Sequence, residues 1–284
     1  MQNETDDERQ MYNLEKENNF RWIAALLKTT AKHTLTVADR CDEATEHQLA
    51  VWGAFAELAH GYFQTSAIWE DLESLTSPGG LLGEPYACLK DSQLLGQFVG
   101  DNRAEERGYV AYRPDFNEII VTFSGTSSLW QVLQDINYFK ELYPVPHLTN
   151  VKAKVHRGFW NVYNGVRLLA AREVASARQL HPDAKLVITG HSLGAVMCYL
   201  FCLDILLAGH GHERNDFGKL YGVQIVLAAF GSPRAGDDSM VELFRRATSE
   251  YEQKFENYGG EAVKEFSVKG YRDGASLQAS LSHL

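Results

Sequence analysis

Apolar side chains at steps of three and four mark the first clear element: Leu49, Trp52, Phe55, Leu58, Ala59 and Tyr62 fall on one face of a helix over residues 46–63. Ser77, Pro78, Gly79 and Gly80 then break the pattern as a loop. Residues 108–112 and 118–123 read as two strands of a hairpin, with Arg113, Pro114, Asp115 and Asn117 between them as turn residues. Helical spacing returns at Leu129, Val132, Leu133 and Ile136, and Pro144 and Pro146 place a loop before Val155. From there helix and strand alternate. Residues 162–180 predict a helix, 181–184 a turn, 186–189 a β-branched strand feeding Gly190, and 193–208 a helix apolar on every side. Residues 223–230 predict a nearly all-apolar strand. Met240, Phe244, Ala247, Tyr251 and Phe255 stripe a further helix, and Gly259 and Gly260 turn the chain into a last strand over 263–268.

Strands that read as continuous apolar runs are covered on both faces. Their alternation with helices predicts an α/β fold with a mainly parallel sheet and helices on each side. No internal repeat or dividing linker is visible. The expected organisation is a polar N-terminal segment over residues 1–45 leading into a helix, then one domain over 46–284.

Charge narrows the function classes. The 284 residues carry 27 basic and 37 acidic side chains, a net charge of -10, the wrong sign for a phosphate-backbone binder, so nucleic acid is not an expected partner. Residues 1–18 are polar and acidic and show neither the basic start nor the apolar run of a secretory signal, and a cytoplasmic location is the expectation. The longest apolar stretch, residues 193–209, contains Asp204 and is too short to span a bilayer, so no transmembrane segment is expected. Cys41, Cys88, Cys198 and Cys202 read as free, buried thiols, because Cys198 and Cys202 lie one helical turn apart in an apolar run. No metal-ligand spacing appears.

The chemistry centres on Gly190-His191-Ser192-Leu193-Gly194, which has a strand before it and a helix after it. A serine on that sharp turn needs a strained backbone. Gly190 and Gly194 are then required where a side chain would strike the neighbouring strand or helix. Ser192 would stand at a helix N-terminus, where the Leu193 N–H can meet negative charge developing on a substrate oxygen. His191 reads as a structural neighbour, since adjacent side chains leave a tight turn in different directions.

With that motif the sequence resembles the class 3 lipases, the family of fungal triacylglycerol lipases and related feruloyl esterases, over about residues 49–273. The resemblance is carried by Gly108-Tyr-Val-Ala111, Ile120-Val-Thr-Phe-Ser-Gly-Thr126, Val155-His-Arg-Gly-Phe159, Gly190-His-Ser-Leu-Gly194 and Phe230-Gly-Ser-Pro-Arg234. It implies an α/β-hydrolase-like sheet, carboxylic ester hydrolysis through an acyl-enzyme on Ser192, a lipid or acylglycerol-type ester as substrate, and no cofactor. It also implies that Thr126 gives the second oxyanion donor, opposite Leu193; the family usually has arginine where this chain has Ser124. Residues 127–139 correspond to a mobile lid in the resembled lipases, which would give a transient contact with a lipid interface. The same apolar stripe suits an ordinary core face, and that is the first reading.

A serine hydroxyl needs a base and a carboxylate to orient it. Asp273 follows the last strand, and Val268-Lys-Gly-Tyr-Arg-Asp-Gly274 resembles the family's aspartate-bearing segment. Beyond Asp273 the sequence has only His283, and the family's proline landmarks are replaced by Ala-Ser-Leu-Gln-Ala-Ser. Three readings stay open: His283 is the base, another histidine such as His156 stands in, or the chain is a shortened, weakened form that binds an acyl ligand or a partner.

Overall fold

The computed structural model describes residues 41–59, 65–100, 107–125, 140–144, 152–210, 216–255 and 261–268. Among these the elements run α1 (Glu43–Leu58), α2 (Thr65–Glu70), α3 (Leu72–Leu75), a 3-10 turn (Glu84–Leu89), β1 (Gln93–Val99), β2 (Arg107–Arg113), β3 (Glu118–Phe123), β4 (Lys140–Leu142) and β5 (Lys154–His156). They continue with α4 (Arg157–Leu180), β6 (Lys185–His191), α5 (Leu193–Leu207), α6 (Asp216–Leu220), β7 (Ile225–Phe230), α7 (Asp238–Lys254) and β8 (Val263–Val268).

Six strands form one sheet in the order β1-β2-β3-β6-β7-β8. The expected hairpin is present: β2 pairs antiparallel with β3 from Gly108 opposite Phe123 to Arg113 opposite Glu118. Its turn closes where Asn117 takes a left-handed conformation, φ 49°, which asparagine tolerates better than most residues. The β3/β6, β6/β7 and β7/β8 pairs are parallel. Side chains alternate across the sheet as a strand's period of two requires. Leu186 and Ile188 join the core under α4, α5 and α7, and Val187 packs with Trp52 and Phe55 of α1 on the opposite face. At the amino end of the sheet Glu118 is fully buried between Arg113 at 2.8 Å and Lys185 at 2.9 Å, so the hairpin and β6 are tied by one carboxylate.

Several expected boundaries move. The first helix begins at Glu43, where the Asp42 side chain accepts from the Thr45 N–H, as an N-cap does; residues 60–64, in the expected second half, lie outside the described residues. The helix expected from residue 162 starts at Arg157. The strand expected from residue 223 starts at Ile225. The sheet's first strand, β1, has no counterpart in the sequence reading, because a register shift between Leu94 and Gly96 breaks the alternation that marks a strand.

Asp204 is the one acidic or basic residue in α5. It accepts hydrogen bonds from the hydroxyls of Tyr143 at 2.5 Å and Tyr163 at 2.6 Å, and pairs with Arg167 at 3.0 Å. One carboxylate therefore holds α5 to α4 and to the residues after β4. The Tyr143 N–H donates to the Ala153 carbonyl, alongside the β4/β5 pair. All four cysteines are free, with Cys198 and Cys202 buried on α5. Contrary to the expectation of four buried thiols, Cys41 is exposed and Cys88 only half-buried, because both lie on the open α1 side, before α1 and in the 3-10 turn.

Candidate active site

The parallel strands end together, and register fixes what stands at that edge. Phe123 of β3 lies opposite Gly190 of β6, His191 opposite Phe230 of β7, and Phe230 opposite Val268 of β8. Loops at the carboxyl ends of such strands are where open α/β sheets assemble their sites. Ser192 takes the next position with φ 58° and ψ -119°, a left-handed backbone that costs a non-glycine residue about 1–3 kcal/mol. Its N–H donates to the Phe230 carbonyl at 2.9 Å, which holds the turn against β7.

The two glycines of the motif explain how the chain packs so tightly. A Cβ on Gly190 would lie 2.7 Å from the Gly194 carbonyl carbon, and one on Gly194 would strike the Phe123 carbonyl and come within 2.9 Å of the Ser124 oxygen. The start of α5 therefore rests on the end of β3. Leu193, buried, is the first residue of α5, and an N–H at that position has no intrahelical acceptor. A 15-residue helix adds its positive end to the same point.

Ser192 is 5% exposed, and among the described residues its Oγ has no hydrogen-bond partner. No hydrogen bond joins it to His191, whose side chain lines a cleft on the α1 face. That side follows from alternation, because Thr189, two residues earlier, faces α1 and approaches the Trp52 carbonyl at 3.4 Å. His156 makes no hydrogen bond to Ser192 either. It ends β5, donates its backbone N–H to Ala235, and packs its half-buried ring near Phe159. Burial, aided by Lys140, lowers its pKa below the ordinary histidine value.

Thr126, Asp273, His283 and the 127–139 stripe lie outside the described residues. The segments that carry them leave the edge just described: β3 ends three residues before Thr126, and β8 ends five residues before Asp273. Ser124 is bound to β2. Its N–H donates to the Arg107 carbonyl at 2.8 Å and its hydroxyl accepts from the Arg107 N–H at 3.2 Å. A hydroxyl clip between β2 and β3 was not read from the sequence; the small polar residue where the resembled family carries arginine was its signal.

Beside the nucleophile turn, α1, the 3-10 turn and the ends of β6, β7 and β8 enclose a cleft of about 1090 Å³. Across it burial, reinforced by a hydrogen bond to the Glu57 carboxylate, pushes the Tyr86 phenol up to about 12. Among the described residues no group of three or more His, Cys, Asp or Glu is placed to hold a metal ion, and no helix is long and apolar enough to cross a membrane.

The family model described as lipase (class 3) matches residues 120–257, the stretch from β3 to just past α7. Over these residues the chain is similar to the class 3 lipase family. Among its relatives, a secreted mono- and diacylglycerol lipase of Malassezia restricta is 29% identical over 181 residues, 59% of this chain and 55% of the relative. A lipase of Rhizomucor miehei is 30% identical over 119 residues, 42% of this chain and 30% of that one. The chain thus spans about half the length or less of these curated relatives. Among solved structures, a triacylglycerol lipase superposes with a TM-score of 0.59 at 17% identity, covering 80% of this chain and 72% of that one. The lipase of Rhizopus microsporus var. chinensis gives 0.55 at 22%, covering 73% and 64%. At these identities the likeness is one of fold, an α/β-hydrolase sheet as expected. The family match contains Thr126, Ser192 and Leu193 and stops short of Asp273 and His283.

Proposed function

We propose that this protein is a serine esterase or lipase of the class 3 lipase kind that hydrolyses carboxylic esters of the lipid or acylglycerol type. The observation that carries the reading is the strained left-handed Ser192 at the N-terminus of α5, packed against the end of β3. A polar side chain held in an unfavourable backbone, on a turn with no room for a Cβ two residues to either side, is arranged for chemistry rather than for packing.

In the proposed cycle the Ser192 Oγ attacks the ester carbonyl carbon while its proton passes to a histidine base, for which we propose His283 oriented by Asp273. The oxyanion is held by the N–H groups of Leu193 and Thr126. The tetrahedral intermediate collapses as the base returns the proton to the leaving alcohol, and water then releases the acid from the acyl-enzyme by the same steps in reverse order of partners. Support comes from the triacylglycerol lipase of similar fold, whose catalytic centre is a serine protease triad, and from the mono- and diacylglycerol lipase relative. Contact with a lipid surface is a further part of the proposal, supported by a similar fungal lipase that serves as a model for interfacial activation.

One observation favours a second reading, a lipase-like protein that binds an acyl ligand without turnover: the family match ends before the segment that must supply the base. A fluorophosphonate probe separates the two. Fast labelling of the wild type that Ser192→Ala abolishes, together with ester turnover, supports the enzyme. Labelling of Ser192→Ala at the wild-type rate overturns the nucleophile. Slow labelling at Ser192 without turnover favours the binding protein.

A further inference from the structure

The cleft beside the nucleophile turn has an uneven charge. Its walls are largely apolar, with Leu49 and Val51 of α1 facing Phe230 and Val268 at the strand ends. Glu46 and Glu57 of α1 and Glu84 of the 3-10 turn stand around it, all exposed, and no lysine or arginine is among the described residues that line it. The cleft reaches His191, the residue before Ser192. A second cavity, of about 450 Å³, lies between α5, α7 and β8 on the other face, and it is the one that gathers arginines, Arg234 and Arg245. The two faces of the sheet therefore present cavities of different electrostatic character, and the acid-lined one reaches the residue before the nucleophile.

We propose that Glu46, Glu57 and Glu84 are specificity-determining residues that admit the uncharged arm of an ester to this cleft and turn away an anionic one. The inference rests on the serine esterase reading. An ester attacked at Ser192 carries two arms away from that point, and the cleft beside His191 is placed to receive one of them. Apolar walls of this size suit an aliphatic arm. A phosphate within about 9 Å of three carboxylates in a water-rich cleft meets a repulsion that sums to roughly a tenfold handicap in rate at low salt. Salt shortens the reach of these charges and should erode the handicap.

The test compares two substrates that differ in one group, dioctanoylglycerol and its phosphate monoester, presented in the same uncharged detergent micelles to the full chain. The expected result is a kcat/KM ratio of about ten in favour of the uncharged ester at low salt. The ratio should fall severalfold in the combined variant Glu46→Gln, Glu57→Gln, Glu84→Gln, and part of the way in the single variants Glu46→Gln and Glu84→Gln. A control that removes three acids from α7 on the other face, Glu242→Gln, Glu250→Gln, Glu252→Gln, reduces the net negative charge equally and should leave the ratio near wild type. Equal wild-type rates on the two substrates, or a control that shifts the ratio as much as the cleft variants do, overturns the cleft assignment and leaves the esterase reading standing. Turnover of neither substrate, with fluorophosphonate labelling also absent, overturns the esterase reading itself.

Discussion

At the scale of single residues the active centre is governed by what has no room. Gly194 carries the sharpest constraint, since any Cβ there meets the end of β3. Gly194→Ala is expected to cost about 3 kcal/mol or more of stability, because the obstacle is main chain rather than a flexible side chain. Urea unfolding checks the stability, and fluorophosphonate labelling should fall in parallel. The need for this glycine was legible in the sequence, because the five-residue motif with its flanking strand and helix dictates the turn. The clip made by Ser124 was not, since a hydroxyl's partner depends on which strand the register brings alongside. His283 belongs to the same scale. Its replacement by alanine is expected to lower turnover on the order of 10³-fold with the fold intact. The wild-type pH–rate profile should show an ionisation near 6 to 7 that the variant lacks. An unchanged rate in a brisk enzyme would pass the role to His156.

Among the elements, those with a strong period were readable and those interrupted by local chemistry were not. Helices α5 and α7 and strands β3, β6 and β8 follow the apolar pattern closely. β1 escaped because its bulge puts Gly96 against the Glu173 side chain and breaks the period of two. The first turn of α4 escaped because Arg157, Gly158 and Asn161 interrupt the apolar spacing at its start. Asp204 was visible as an oddity in an apolar helix, and its meaning came only from the packing of three elements around it. Asp204→Ala strands two tyrosine hydroxyls and leaves Arg167 without this carboxylate. It should therefore destabilise by about 3–5 kcal/mol, the usual cost of removing one partner from a mostly buried ion pair. Chemical denaturation of the variant measures this directly, and a loss below about 1 kcal/mol would show the cluster to be far weaker than its geometry implies.

For the whole molecule, the two faces of the sheet differ in thiol chemistry as they do in charge. Cys41 should react first with an aromatic disulfide reagent and Cys88 more slowly, because burial raises its pKa. Cys198 and Cys202, fully buried with their pKa values pushed up by burial, should react only on unfolding. Reducing agent should leave Tm almost unchanged, and a fall of several degrees would reveal a structural disulfide. The sheet order has a temporal consequence as well. β2 and β3 are close in sequence and can zip locally, but β3 must wait for β6, which begins 62 residues after β3 ends, and loop closure over that separation is slow compared with a hairpin. The site sits on that late seam, since Gly194 rests on Phe123. In refolding from urea, probe reactivity at Ser192 should therefore return later than far-ultraviolet signal, and a nascent chain would carry its nucleophile long before it could use it.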